Sequence, residues 1–224
     1  MKLKKYHGLG NDYLVTRLAE LGTPTPAEAA RQVCDRHKGV GSDGLLLGPL
    51  PSQTADFRLR IFNPDGSEAE KSGNGIRIFC RFLYDEGLVD QDTPFSLETL
   101  GGKVGCVVMQ GGDIVRVEMG AVSFWSEDAG ITGEGREVIR ERLPLPDAGF
   151  TVCGASVGNP HCIVLDSTSP ETDVHRFGPL IERHPWFKNR TNVQFLTVID
   201  RGNIALQIWE RGAGYTTASG SSSV

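Results

Sequence analysis

The second half of this 224-residue chain repeats sequence features of the first half in the same order. The strand-like stretch FRLRIFN begins at position 57 and its counterpart IALQIWE begins at position 204, an offset of 147. GNDYLV at position 10 and GNPHCI at position 158 give an offset of 148. In each half a Ser-Gly pair follows the strand, at Ser72 and at Ser219. Because two motif pairs share order and spacing, the sequence predicts two similar lobes, 1–120 and 121–224.

Local patterns predict a mixed α/β chain with many short strands and few helices. Thr25, Pro26 and Glu28 are typical of a helix start, since they supply a capping threonine, a first-turn proline and a capping-box glutamate. The predicted elements are helices from Pro26 to Arg36, from Ser72 to Gly87 and from Asp173 to Arg183, and strands at 57–62 and 204–209. Residues 124–148 are charged and glycine-rich, and we expect a linker or surface excursion there.

Composition argues against several classes of function. The net charge is −5 and no stretch gathers Lys and Arg into a basic face, which argues against nucleic acid as a partner. No apolar run approaches the ~20 residues that span a bilayer, so we expect neither a membrane partner nor a secretory signal. The five cysteines form no CxxC pair, which favours reduced thiols in the cytoplasm over a disulfide framework or a zinc site.

The two Ser-Gly positions are the best candidates for chemistry. A helix N-terminus offers free backbone N–H groups and a favourable dipole. Two such termini suit an amino-acid carboxylate and the charge that develops when its α-proton leaves. Inversion of a stereocentre needs one group on each face, and Ser72 and Ser219 stand at the two predicted helix starts. The alternative interpretation is plain capping, for which serine is among the preferred residues.

Six segments resemble the successive signatures of diaminopimelate epimerases, in the family's order and over nearly the whole chain. They are KYHGLGND (5–12), CDRHKGVGSDGLLL (34–47), RIFNPDGSEAEKSGNGIR (60–77), GNPHCIV (158–164), FGPLIERHPWFKNRTNV (177–193) and ERGAGYTTASG (210–220). The resemblance implies an amino-acid epimerase that uses neither pyridoxal phosphate nor metal. It also implies an α/β (α+β) fold of two pseudo-symmetric lobes, each a mixed sheet wrapped around a central helix, with the active site in the cleft between them.

The resemblance further implies a set of site residues. The catalytic residues would be Ser72 and Ser219, with His161 and Glu210 tuning them. The substrate contacts would be Asn11, Asn63, Gly73, Asn74, Asn159, Asn192, Glu210, Arg211, Gly220 and Ser221. Ordinary structural alternatives stay open, since Asn11 could be a turn residue, Asn192 a loop cap, His161 an interior histidine and Arg211 the partner of a surface acid.

Three departures from the family pattern bear on activity. Serine stands at both positions, 72 and 219, where the family has cysteine, and a hydroxyl is far less acidic than a thiol. The sequence then stops at Val224, inside the helix predicted to begin at Ser219, so we expect a C-terminal lobe that is truncated. The serine-rich run 220–224 favours natural divergence over engineered inactivation.

Three functions are compatible with these features. The first is inversion of LL- to meso-diaminopimelate, a step of lysine biosynthesis, by two-base proton transfer. The second is an amino-acid-binding homologue that has lost the chemistry. The third is a lyase or dehydratase with one base, for which Glu210 is the candidate. The expected partner in each case is a small amino acid, and a homodimer is compatible with all three.

Overall fold

Short strands dominate the structure, as the many glycines and prolines predict. The computed structural model describes residues Met1 to Val224, which divide into two compact units, Met1–Gly120 and Ala121–Val224. No helix in either unit has the length and apolar character needed to cross a membrane. All five cysteines are free, and four of them are buried.

The first unit contains one sheet and three α-helices. Its strands are β1 (Lys4–Gly8), β2 (Asn11–Thr16), β3 (Leu45–Leu50), β4 (Phe57–Phe62), β5 (Glu68–Ala69), β6 (Phe95–Thr99), β7 (Gly102–Met109) and β8 (Ile114–Glu118). Its helices are α1 (Leu18–Leu21), α2 (Pro26–Cys34) and α3 (Gly73–Asp85). The strand order is β1-β2-β3-β4-β6-β7-β8, with β5 paired to β4.

Helix α3 is the central helix of this unit, and the helix predicted to begin at Ser72 is confirmed. Its apolar residues recur at helical spacing, and Ile76, Phe79 and Leu83 are fully buried in the core that the helix forms with the sheet. The helix contacts β1, β2, β3, β7 and β8. The sheet therefore fixes where the chain presents Ser72, the residue immediately before α3.

Helix α2 carries the predicted capping box. The Thr25 hydroxyl accepts a hydrogen bond from the Glu28 N–H at 3.3 Å, and the Glu28 carboxylate accepts one from the Thr25 N–H at 2.9 Å. We expect Thr25→Ala to lower the free energy of unfolding by about 1 kcal/mol, because a helix-end donor loses its partner. Urea unfolding followed by circular dichroism measures the change. Thr23→Ala, at an exposed threonine outside the helix, is the matched control, and an equal loss in both variants would contradict the prediction.

The second unit contains a six-stranded sheet and one helix. Its strands are β9 (Glu141–Leu145), β10 (Ala148–Ser156), β11 (Pro160–Val164), β12 (Asn192–Asp200), β13 (Asn203–Glu210) and β14 (Gly214–Thr216), in the order β14-β13-β12-β11-β10-β9. Helix α4 (Pro170–Glu182) packs on β12 and β13 and buries Val174, Phe177 and Ile181 in the core. The predicted strand in this half is confirmed with slightly wider bounds, and the predicted helix is confirmed, beginning three residues earlier and ending one residue earlier than expected.

Residues 124–148, predicted to be a linker or a surface excursion, are mostly exposed, as a surface excursion would be, but they are not a free linker. Ala129, Ile131 and Val138 are buried in the core of the second unit. Isolated bridges pair Trp125 with Glu137 and Ile131 with Phe187, and β9 begins at Glu141. A few apolar residues spaced among charged ones anchor the segment, and the average composition of the segment hides them.

The predicted internal repeat is confirmed by the pairing of the strands. In the first unit β1 and β2 pair antiparallel, β2 and β3 parallel, and β3 and β4 antiparallel. In the second unit β10 and β11, β11 and β12, and β12 and β13 pair in the same three ways. Helices α1 and α2 connect the parallel pair in the first unit, and α4 connects it in the second. Each unit is therefore built on the same four-strand plan.

The segments that follow the two Ser-Gly positions differ. Ser72 caps a 13-residue helix, whereas residues 220–223, which precede the last residue Val224, form a turn. The Ser222 hydroxyl donates to Ser219 Oγ at 2.9 Å, and the Ser223 hydroxyl donates to the Ser219 carbonyl at 2.9 Å. These bonds hold the serine side chains of the turn against Ser219.

Candidate active site

Ser72 lies at the N-terminus of α3 with two hydrogen-bonding partners. Its Oγ accepts a hydrogen bond from the Gly75 N–H at 3.1 Å and lies 3.1 Å from the phenol oxygen of Tyr13. Position 75 is tightly enclosed, since a Cβ there would lie 3.1 Å from Ser72 Oγ. Gly73 and Asn74 occupy the first helical turn, where backbone N–H groups and the helix dipole favour an anion. Ser72 thus caps the helix and also contacts a second hydroxyl.

Asn11 and Asn74 are buried and joined to each other. Asn74 Nδ2 donates to Asn11 Oδ1 at 3.2 Å, and Asn11 Nδ2 donates to Asp43 Oδ2 at 2.8 Å. Arg77 donates to Asn74 Oδ1, and Arg36 donates to Asp43 Oδ1 at 2.8 Å. Because internal partners hold both amides, each amide has one defined orientation beside the start of α3.

Asn63 has a different setting from the other predicted site residues of the first unit. It follows β4, where its Nδ2 donates to Ser67 Oγ at 3.0 Å and its carbonyl accepts from the Gly66 N–H at 2.9 Å. Its own N–H donates to the Ser67 carbonyl at 2.8 Å. These bonds close a local turn, and none of them joins the network of Asn11 and Asn74.

His161 is a buried, neutral histidine in the second unit. Its Nε2 lies 3.1 Å from Asn159 Oδ1, and its Nδ1 lies 3.0 Å from Gln194 Nε2. A carbonyl oxygen can only accept, so Nε2–H donates to Asn159 and Nδ1 accepts from Gln194. Burial, with the nearby charge of Arg211, lowers the pKa of His161 to about 4. His161 is therefore an interior histidine, and both of its ring nitrogens make hydrogen bonds.

A chain of hydrogen bonds leads from His161 to Ser219. Gln194 Nε2 donates to Ser222 Oγ at 2.9 Å, and the Ser222 hydroxyl donates to Ser219 Oγ at 2.9 Å. Ser219 Oγ lies 3.5 Å from Ser221 Oγ, and both residues are buried. An amide nitrogen only donates, so the direction of the chain is fixed and Ser219 Oγ receives a hydrogen bond.

Gln194 also borders a small cavity. The cavity has a volume of about 170 Å³, and its polar lining includes His161, Ser221 and Ser222 beside Gln194. Gln194 Oε1 is buried and has no hydrogen-bond partner. A buried acceptor without a partner lowers the stability of the fold by about 1–3 kcal/mol, and such atoms are uncommon in native proteins.

Asn192 and Arg211 anchor the end of β13. Asn192 Nδ2 donates to the Pro160 carbonyl at 2.9 Å, and Asn192 Oδ1 accepts from the Arg211 N–H at 3.0 Å. The Arg211 guanidinium is buried and donates to the Asn189 carbonyl at 3.2 Å. Arg211 is therefore an interior residue, and Glu210 is the half-buried last residue of β13. Asn192 joins β11 to the segment that follows β13.

The sequence matches the family model described as diaminopimelate epimerase across residues 3–125 and 153–224. Diaminopimelate epimerase 2 of Nostoc sp. is 56% identical over 223 residues, which cover 100% of this chain and 78% of that protein. Diaminopimelate epimerase of Desulforudis audaxviator is 42% identical over 223 residues, which cover 98% of this chain and 80% of that protein. This chain belongs to the diaminopimelate epimerase family.

Solved structures share the fold at low sequence identity. A hydroxyproline epimerase from Agrobacterium vitis has a TM-score of 0.72 at 16% identity, covering 99% of this chain and 73% of that chain. A probable proline racemase from Agrobacterium radiobacter has a TM-score of 0.69 at 17% identity, covering 95% and 71%. At these identities the likeness shows the fold alone, and the predicted fold class, α/β (α+β) with two similar lobes, is confirmed.

Membership in the diaminopimelate epimerase family confirms the predicted enzyme class, an amino-acid epimerase. The structure gives the two serines unlike settings in this family member. Ser72 caps a helix and its hydroxyl contacts the phenol of Tyr13. Ser219 precedes a turn and accepts a hydrogen bond from the Ser222 hydroxyl. No group of three or more His, Cys, Asp or Glu side chains is arranged to hold a metal ion.

Sequence reasoning missed three polar partners of these residues, namely Tyr13, Gln194 and Ser222. Gln194 could have been noticed, because it is the polar residue within the buried run Val193 to Phe195. Ser222 lies in the serine-rich run, but nothing local distinguishes it from its neighbours. Tyr13 begins the buried stretch Tyr13 to Thr16 of β2 and looks like an ordinary core residue.

Proposed function

We propose that this chain inverts the α-carbon of an amino acid by two-base proton transfer and converts LL- to meso-diaminopimelate in lysine biosynthesis. The observation that carries the proposal is the family match across most of the chain, with 56% identity to the Nostoc relative. Ser72 and Ser219, one in each unit, are the proposed acid–base residues. Neither pyridoxal phosphate nor a metal takes part in the proposed reaction.

The substrate carboxylate is assigned to backbone N–H groups. Those of Gly73 and Asn74 stand in the first turn of α3, and those of Gly220 and Ser221 stand in the turn after Ser219. Oriented N–H donors stabilise both the carboxylate and the enolate-like charge that forms when the α-proton leaves. The remaining proposed substrate contacts are Asn11, Asn63, Asn159, Asn192, Glu210 and Arg211.

His161 is proposed as a fixed hydrogen-bonding group and not as a base. Both its ring nitrogens are engaged, and its low pKa keeps it neutral near pH 7. Its effect on Ser219 passes through Gln194 and Ser222, which orient the hydroxyl. Ser219 Oγ accepts a hydrogen bond from the Ser222 hydroxyl and lies 3.5 Å from Ser221 Oγ, and its own O–H is the proposed donor towards substrate.

A second candidate function is binding of an amino acid without turnover. The observation that favours it is that only hydroxyl groups and a backbone N–H contact the two serine oxygens. An aliphatic hydroxyl without an adjacent base is a weak acid–base catalyst.

Exchange of the α-proton in D₂O, followed by NMR, separates the two functions. We expect the chain to exchange the α-proton of LL- and meso-diaminopimelate, and a Ser72→Cys/Ser219→Cys variant to exchange it faster because thiols are more acidic. Exchange by the cysteine variant alone would leave binding without turnover as the function of the native chain. Silence from both proteins, with calorimetric binding of neither substrate, would overturn the assignment of diaminopimelate.

We also propose a partner, a cellular location and an assembly for this protein. A free amino acid is the proposed partner, the cytoplasm is the proposed location, and the proposed assembly is a homodimer. The five free cysteines support a reducing compartment. Sedimentation at two protein concentrations tests the homodimer.

A further inference from the structure

Tyr13 is the one side chain that contacts the Ser72 hydroxyl. It lies on β2, 59 residues before Ser72, and its phenol oxygen is 3.1 Å from Ser72 Oγ. The ring is 3% exposed and packs over Gly44, where a Cβ would lie 2.5 Å from the Tyr13 ring and 2.7 Å from the Phe62 carbonyl oxygen. The strand and Gly44 therefore hold the phenol in one place.

The hydrogen bonds at Ser72 Oγ follow from counting its protons and lone pairs. A serine oxygen carries one proton and two lone pairs. The Gly75 N–H occupies one lone pair at 3.1 Å. A phenol is a stronger acid than an aliphatic hydroxyl, so Tyr13 is the better donor to the second lone pair. The Ser72 proton is then the only group on this oxygen left to face a substrate.

We propose that Tyr13 is a positioning residue for Ser72, which orients the serine proton towards the substrate and supplies a replacement proton when that proton is transferred. The inference rests on the proposed epimerase function. In the step, the Ser72 O–H bond breaks and its proton forms a new C–H bond at the α-carbanion. The Tyr13 O–H bond breaks and its proton restores the Ser72 O–H bond. The negative charge passes from the carbanion to the phenol oxygen, and the reverse step returns it.

The contact with Tyr13 addresses the main difficulty of placing serine where the family has a catalytic cysteine. A lone alkoxide is too basic to form readily, whereas a phenolate is a far better carrier of the charge, with an ordinary pKa of about 10. Tyrosine is an established acid–base group in enzymes. The charge on Ser72 Oγ is therefore transient, and the Gly75 N–H and the dipole of α3 stabilise it while it lasts.

The test compares four proteins that carry Ser or Cys at position 72 and Tyr or Phe at position 13. The readouts are kcat and KM for α-proton exchange in D₂O with meso-diaminopimelate. Tyr13→Phe should lower kcat about 10- to 100-fold in the serine background with little change in KM, because a hydrogen bond to a charged oxygen is lost. In the Ser72→Cys background the same change should alter kcat by less than about twofold, because a thiolate needs no phenol.

Tyr6→Phe is the matched control. Tyr6 lies opposite Tyr13 on β1, and its hydroxyl bonds to Asp85 at 3.0 Å, so it makes no bond to Ser72. This variant should exchange the α-proton as the native chain does. Equal losses from Tyr13→Phe in both backgrounds would show a purely structural role and overturn the inference.

The remaining outcomes distinguish a failure of the proposed role of Tyr13 from a failure of the proposed epimerase function. No loss in the serine background overturns the role of Tyr13 while the epimerase assignment stands. Exchange in the cysteine background alone overturns the role of Tyr13 and leaves binding without turnover as the function of the native chain. Silence from all four proteins overturns the assignment of substrate and the inference together. Thermal unfolding of each variant shows whether a lost rate reflects a lost fold.

Discussion

Glu182→Ala is expected to lower the free energy of unfolding of the second unit by about 3 kcal/mol. Glu182 is the last residue of α4, and its carboxylate is 4% exposed. It accepts hydrogen bonds from Arg190 at 3.2 Å, from Trp209 Nε1 at 3.0 Å and from the Gly212 N–H at 3.1 Å. Alanine would leave these donors without the carboxylate, and an unsatisfied buried donor costs about 1–3 kcal/mol.

Tryptophan fluorescence during urea unfolding reports on this unit alone, because Trp125, Trp186 and Trp209 all lie within it. Glu171→Ala, at an exposed position on the same helix, is the matched control and should cost at most about 0.5 kcal/mol. Glu182→Gln should fall between the two, because it keeps one carbonyl acceptor. A loss below about 1 kcal/mol for Glu182→Ala would mean that water replaces the carboxylate as acceptor.

The same carboxylate matters for the proposed function. Trp209 and Gly212 flank Glu210 and Arg211, which are proposed to contact the substrate. Glu182 thus ties the end of α4 to the segment that carries them. We expect Glu182→Ala to raise KM for α-proton exchange, because the Glu182 carboxylate positions the segment that carries these proposed substrate contacts.

His161 is expected to make the second unit sensitive to acid. Its pKa of about 4 in the folded chain lies below the ordinary value of 6.5, and burial is the main cause. Between pH 6.5 and pH 4 the unfolded chain binds a proton that the folded chain excludes. Stability therefore falls as the pH falls through this window, by a total on the order of 3 kcal/mol from this group. Above pH 6.5 the contribution of His161 is constant.

Carboxylates also titrate in this range, so a variant isolates the histidine. His161→Gln keeps a polar side chain that cannot be protonated, and we expect it to flatten the change in unfolding free energy between pH 6.5 and pH 4 by about 3 kcal/mol. His175→Gln, at an exposed histidine in the same unit, should keep the native slope. An unaltered slope in His161→Gln would place the acid sensitivity elsewhere. The measurement is urea unfolding at four pH values, followed by tryptophan fluorescence.

The elements with strong local signals were predictable from the sequence. The capping box at Thr25, the strand at 57–62 and the helix that begins after Ser72 depend on residues a few positions apart, and all three are present. After the second Ser-Gly pair, the side chains of Ser222 and Ser223 bond to Ser219 in a turn. The local signals at Thr25, 57–62 and Ser72 succeed because the residues that determine each element are near neighbours in the chain.

The sequence motifs named candidate site residues but gave none of their contacts. The motifs pointed to Ser72, Ser219 and His161 as candidates. Nothing in the motifs showed that Asn63 makes a local turn or that Arg211 is buried. Burial depends on which surfaces pack together, and periodicity reports only which face of an element is apolar.

The sequence by itself determined the duplicated plan of the two units, the family and the positions of the two serines. The tertiary structure alone decided that a phenol meets Ser72 and that Gln194 and Ser222 connect His161 to Ser219. Three of these four contacts join residues 59, 33 and 28 positions apart. A hydroxyl or amide selects its partner by hydrogen-bond distance and direction, and only the packing of strands against helices sets these for residues so far apart in the chain.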